Sequence, residues 1–133
     1  MPPTRPVVLV ADDDRPLCEL LQEFLEEEGY TVACVRTGPA ALVRIEAGGL
    51  DLALLDLRLP GLAGPEVCRR AREVAPPGAG HLPIIVVSAS GDLERAAALA
   101  AGADEYLTKP FELDDLLAVL ARHVSPGASV DQG

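Results

Sequence analysis

Three short stretches of the chain are apolar at nearly every position: VVLVA at 7–11, LDLALLDL at 50–57 and IIVV at 84–87. A strand with one wet face alternates apolar and polar residues. An unbroken apolar run instead describes a strand covered on both faces, as in a parallel sheet flanked by helices. TVACV at 31–35 and EYLT at 105–108 are weaker strand candidates in the same rhythm.

Helix signals lie between these runs. Pro16 suits a first helical turn after Asp14. Leu17, Leu20, Leu21, Phe24 and Leu25 then share one helical face, with Glu19, Glu23, Glu26 and Glu27 outside it and Gly29 as the stop. Further helices are expected over 39–47, ending at Gly48-Gly49, over 65–74, breaking at Pro76-Pro77, and over 92–101, ending at Gly102. Leu113, Leu116, Leu117 and Leu120 mark the last. Five strand–helix units in succession predict an α/β protein with a doubly wound, five-stranded parallel sheet.

At 133 residues the chain has room for one domain, expected over 7–124, with an extension at 1–6 and a flexible tail or linker start at 125–133. Aromatic residues are 3% and Trp is absent, so the core must be aliphatic. No apolar run approaches the roughly 20 residues that span a bilayer. The five apolar residues after MPPTRP are too few for a secretory leader. A soluble, cytoplasmic protein is expected. Eleven basic against 21 acidic residues give a net charge of −10, which argues against direct nucleic-acid binding by this domain. Cys18, Cys34 and Cys68 are odd in number and show no CxxC spacing, so packed, reduced thiols are expected rather than a disulfide frame or zinc site. His81 and His123 are isolated and expected at the surface.

In open α/β sheets ligands gather beyond the carboxyl ends of the strands. Asp12, Asp13 and Asp14 follow the first strand, Asp56 ends the third, Ser88 follows the fourth, and Lys109 and Pro110 follow the fifth. In a sheet ordered 2-1-3-4-5 the first and third strands are neighbours, and their terminal carboxylates converge. Clustered carboxylates repel one another, and a hard divalent cation such as Mg²⁺ relieves this. With a lysine and a hydroxyl added, the set suits phosphoryl transfer to a carboxylate. Each residue also has a plain structural reading. Asp12 to Asp14 suit a helix cap, Ser88 a strand-end hydroxyl and Lys109 the surface. Asp56, inside the apolar run LALLDLRL, is the hardest to explain that way.

Four segments taken together, VVLVADDD, LALLDLRLPGLAG, PIIVVSAS and GADEYLTKPF, resemble the response-regulator receiver family, the CheY-like domains, over about residues 7–124. The resemblance implies a flavodoxin-like (βα)5 fold with strand order 2-1-3-4-5. It implies that Asp56 is the phosphoacceptor and a metal ligand, that Asp13 binds Mg²⁺ directly, and that Asp12 does so through water. The backbone carbonyl of Arg58 would complete the protein's share of the coordination. Ser88 and Tyr106 match the switch pair, and Lys109 the phosphate-pairing lysine, followed by a cis bond to Pro110. It implies a sensor histidine kinase or histidine phosphotransfer protein as donor, a downstream protein or fused effector as target, and a signalling domain rather than an enzyme. Arg58, Ala63 and Ser88 depart from the commonest pattern, which more often has Met or a small polar residue, an acid, and Thr.

Two rival chemistries fit poorly. A haloacid-dehalogenase-type enzyme wants a second acid two residues after its nucleophile, where this chain has Arg58. A flavodoxin-like cofactor binder needs a Gly, Ser and Thr phosphate cradle after the first strand, where this chain is acidic. A receiver-fold interaction module that is not phosphorylated is the remaining alternative. The last helix lacks the Arg-rich face of receivers that dimerise before a winged-helix domain.

Overall fold

The computed structural model describes residues 5–74, 80–89 and 91–127. Five strands alternate with five helices: β1 Val7–Ala11, α1 Arg15–Glu27, β2 Thr31–Val35, α2 Gly38–Glu46, β3 Leu52–Asp56, α3 Gly64–Val74, β4 Ile84–Ser88, α4 Asp92–Ala100, β5 Glu105–Thr108 and α5 Leu113–His123. All strand pairs are parallel, in the order β2-β1-β3-β4-β5. This is the doubly wound sheet the apolar runs predict, in the flavodoxin-like strand order the resemblance implies, and both weaker strand candidates are present. The Pro76-Pro77 break lies outside the described residues.

The unbroken apolar runs follow from the two-residue strand period. Val8 and Val10 of β1 point to one face, joined by Leu54, Ile85, Leu21, Leu25, Leu116 and Leu120. Leu9 and Ala11 point to the other, joined by Leu55, Ile84, Val86, Ala41, Val67 and Ala98. One core half therefore lies under α1 and α5, the other under α2, α3 and α4.

Asp14 caps α1: its side chain accepts from the Leu17 N–H at 3.1 Å, and Pro16 sits in the first turn. Leu20 departs from the expected apolar face. It is 49% exposed, at the edge of a stripe whose centre is held by Leu21 and Leu25. Cys18 and Cys68 are packed as expected, but Cys34 is exposed, because β2 is an edge strand. His81 is exposed and pairs with Asp104. His123 is partly buried and pairs with Glu105 on β5, so it is not the plain surface residue expected.

Beyond α5 the chain stays packed as far as residue 127. The buried Tyr30 hydroxyl donates to the Val124 carbonyl at 2.8 Å, and the Gly127 N–H donates to Gly29 O at 2.9 Å. Among the described residues no helix is long and apolar enough to cross a membrane.

Candidate functional site

The carboxyl ends of β1 and β3 bring three acids together. Asp12 follows β1 directly, Asp13 is next, and Asp56 is the last residue of β3. One carboxylate oxygen from each lies within 4.8 Å of the others. Asp12 is 5% exposed, whereas Asp13 stands in solvent. Pairing of β1 with β3, Ala11 beside Leu55, makes this convergence unavoidable once the sheet order is set.

Each buried acid is held by named donors. Asp12 Oδ1 accepts the Asp14 N–H at 3.0 Å, and Asp12 Oδ2 accepts Lys109 Nζ at 2.7 Å. The Cys18 thiol donates to the Asp12 carbonyl oxygen at 3.3 Å. Asp56 Oδ1 accepts the Arg58 N–H at 3.3 Å, while its Oδ2 faces Lys109 Nζ at 3.7 Å. Lys109 thus bridges two of the three carboxylates from the end of β5. The Lys109–Pro110 peptide is cis, as the resemblance implies.

Lys109 faces two of these three acids. Burial pushes the Asp56 carboxyl above its ordinary range; Asp12 and Asp13 add to this, while the Arg58 N–H and Lys109 oppose it. Burial alone would lower the Lys109 ammonium, but its hydrogen bond to Asp12 and the charges of Asp12, Asp56 and Asp14 raise it overall. The donors offered to a metal are all carboxylate oxygens. That set suits a hard cation such as Mg²⁺ and lacks the nitrogen and sulfur that zinc or copper prefer.

Ser88 ends β4 and is 3% exposed, one residue beyond Val87, which pairs with Asp56 in register. Its carbonyl accepts the Lys109 N–H at 2.8 Å, so the serine and lysine backbones are tied at the rim of the pocket. Tyr106 pairs with Val86 in register and packs, partly buried, against the α2–α3–α4 half of the core. Arg58 is exposed on the loop after β3.

Two contributors escaped the sequence reading. Cys18 was read only as a packed thiol, and its bond to Asp12 carries no motif. Gly64 appears in the sequence analysis only as the end of the segment LALLDLRLPGLAG, yet a Cβ there would lie 2.5 Å from Asp56 O. Its own N–H donates to Leu57 O at 2.9 Å, so α3 starts directly against the Asp56 backbone. A cavity of about 320 Å³ lies at the other end of the sheet, lined by Ile45, Glu46, Leu50, Arg72, His81 and Leu82, and holds no cluster of carboxylates among its lining residues.

Residues 8–121 match the model of the response regulator receiver domain. Sensory transduction protein RegX3 of Mycolicibacterium smegmatis is 35% identical over 125 residues, covering 93% of this chain and 53% of that protein. Response regulator MprA of a Mycobacterium species is 42% identical over 128 residues, covering 93% and 54%. The chain spans about half the length of the curated relatives it matches. Among solved structures, the receiver domain of sensor histidine kinase PA1611 from Pseudomonas aeruginosa PAO1 superposes with a TM-score of 0.80 at 30% identity, covering 89% of this chain and 96% of that one. That structure has a magnesium ion coordinated in its active site cleft.

Proposed function

The chain belongs to the response regulator receiver family of two-component signalling systems, and we propose that Asp56 is its phosphoacceptor. The observation that carries this reading is the placement of Asp56 at the end of β3, within 4.8 Å of Asp12 and Asp13 and 3.7 Å from Lys109 Nζ. An Asp56 carboxylate oxygen attacks the phosphorus of a phosphohistidine, the N–P bond breaks, and an aspartyl phosphate forms. Asp13, Asp56 and the Arg58 carbonyl would hold Mg²⁺ directly, and Asp12 would do so through water. Bound there, Mg²⁺ supplies positive charge to the transferring group. Lys109 offers its ammonium to the phosphoryl oxygens, and its raised pKa keeps it charged. Ser88, at the end of β4, offers a hydroxyl to the same group.

The switch follows from what the new group accepts. A phosphoryl group has more acceptors and more charge than the carboxylate it replaces. Ser88 and Lys109 thereby gain bonds at the ends of β4 and β5, and Tyr106 on β5 is assigned to move with Ser88. The face from β4 to α5 then shifts between two arrangements that phosphorylation weights differently.

In this reading the donor is a sensor histidine kinase or a histidine phosphotransfer protein, and the recipient of the signal is a downstream protein or a fused effector. The domain works in the cytoplasm, binds neither nucleic acid nor membrane, and catalyses only its own phosphorylation and dephosphorylation. The acidic balance of 21 acids to 11 bases supports the nucleic-acid assignment, and the three unpaired cysteines support the cytoplasmic one.

Incubation with acetyl phosphate tests the reading. A Mg²⁺-dependent phosphoprotein that is absent in Asp56→Asn is expected. No adduct from folded protein that binds Mg²⁺ would instead identify a receiver-fold interaction module.

A further inference from the structure

We propose that Cys18 and Cys34 form a reversible disulfide that ties α1 to the edge strand β2 when a small hydroperoxide reaches the exposed Cys34. Cys34 lies two residues after Val32, on the face of β2 that packs against α1. Its Sγ is 3.7 Å from the Cys18 carbonyl oxygen and 3.9 Å from Gln22 Oε1. Cys34 Sγ therefore lies against the main chain of Cys18 itself. Cys34 is open to solvent while Cys18 is buried behind it, which is the arrangement of an attacking thiol with a resolving thiol at hand. Cys68 is fully buried in the other half of the core.

The chemistry balances with the hydroperoxide as oxidant. The Cys34 sulfur attacks the terminal peroxide oxygen, the O–O bond breaks, and water or an alcohol leaves, giving a sulfenic acid. The Cys18 sulfur then attacks the Cys34 sulfur. The S–S bond forms, the S–O bond breaks, and hydroxide leaves with the Cys18 proton as water. Two thiols have given two electrons to one peroxide, and a dithiol reductant reverses the change by exchange. Burial pushes the Cys18 thiol up to about 12 and also raises Cys34, so the first step is slow. The second step gains from the packing of Cys34 against residue 18. Glu26 acts on Cys34 as a negative charge and disfavours its thiolate.

The disulfide would reach the metal pocket through one bond. The Cys18 thiol donates to the Asp12 carbonyl oxygen at 3.3 Å, and a disulfide sulfur has no proton to donate. Oxidation therefore loosens Asp12; the effect on Mg²⁺ rests on the assignment of Asp12 to the metal pocket.

The test treats the whole chain with hydrogen peroxide, blocks remaining thiols, maps the peptides without reduction, and titrates Mg²⁺ by calorimetry before and after. A Cys18–Cys34 cross-linked peptide is expected, lost on reduction with dithiothreitol and absent in Cys34→Ser, with Cys68 unmodified. Several-fold weaker Mg²⁺ binding is expected in the oxidised protein. Over-oxidised Cys34 or a Cys34-linked dimer, with Cys18 still a thiol, would overturn the disulfide. Equal Mg²⁺ affinity in both forms would overturn its link to Asp12. Failure of the reduced protein to bind Mg²⁺ would refute the metal reading alone, because the peptide map does not depend on it.

Discussion

Replacing Asp56 by Asn is expected to stabilise the metal-free protein. Oxygens of Asp12, Asp13 and Asp56 lie within 4.8 Å of one another. At an effective dielectric of about 20, two like charges at that spacing cost about 3.5 kcal/mol. Lys109 at 3.7 Å from Asp56 returns about 4.5 kcal/mol on the same scale. The repulsion from Asp13 is weakened because its carboxylate is in solvent, so repulsion and attraction nearly cancel. Burial of the charge then decides the sign, in agreement with the raised Asp56 pKa. Asn keeps an oxygen for the Arg58 N–H, so the acceptor of that bond survives. The net gain is on the order of 1 kcal/mol, or roughly 3–5 °C in Tm for a domain of this size. The native state holds the Asp56 proton more tightly than the unfolded chain does. Wild-type stability from this group therefore falls as pH rises from the ordinary carboxylate range through the raised value. The advantage of Asn should be absent in acid and complete at neutral pH. Thermal unfolding in chelator, across pH, reads this directly. An Asn variant less stable than wild type at neutral pH without metal would refute the electrostatic reasoning. Saturating Mg²⁺ should reverse the order, since only wild type keeps the full ligand set.

Other expectations follow from the same contacts. Lys109→Met removes the cation that bridges Asp12 and Asp56 and should cost about 1–3 kcal/mol in chelator while slowing phosphorylation from acetyl phosphate. This loss should shrink at high pH, as the raised Lys109 ammonium titrates; a loss that persists unchanged there would show that packing, not charge, is responsible. Gly64→Ala places a Cβ 2.5 Å from Asp56 O and should destabilise by about 1–3 kcal/mol in urea unfolding. A neutral result would mean that the start of α3 is free to shift. Asp14→Ala removes the cap of α1 and should cost about 1 kcal/mol. Arg58→Met should change the lifetime of the aspartyl phosphate, because the long guanidinium arm leaves the loop beside Asp56; an unchanged dephosphorylation rate would sink that role.

The fold was legible because β1, β3 and β4 are apolar at consecutive positions, which only a sheet covered on both faces explains. The acids were legible for the same reason: Asp56 interrupts an apolar run, and Asp12 and Asp13 follow another. Cys34 was misjudged because exposure depends on its strand being an edge, a property of sheet order rather than local pattern. Leu20 matched helical spacing but fell at the margin of the stripe, where spacing alone does not decide burial. The partners of His123 and Cys18, Glu105 and the Asp12 carbonyl, are brought near by tertiary packing and leave no periodic trace. Gly64 is required by the close approach of one backbone to another, which a glycine in a loop does not announce.

The central claim is that one of three clustered carboxylates takes the phosphoryl group. Borohydride reduction of the acetyl-phosphate-treated protein converts an aspartyl phosphate to homoserine, and peptide mass mapping then locates it. Homoserine at position 56, formed only with Mg²⁺ present, is the predicted result. Homoserine at position 12 or 13, or at no position in folded, Mg²⁺-bound protein, would contradict the account.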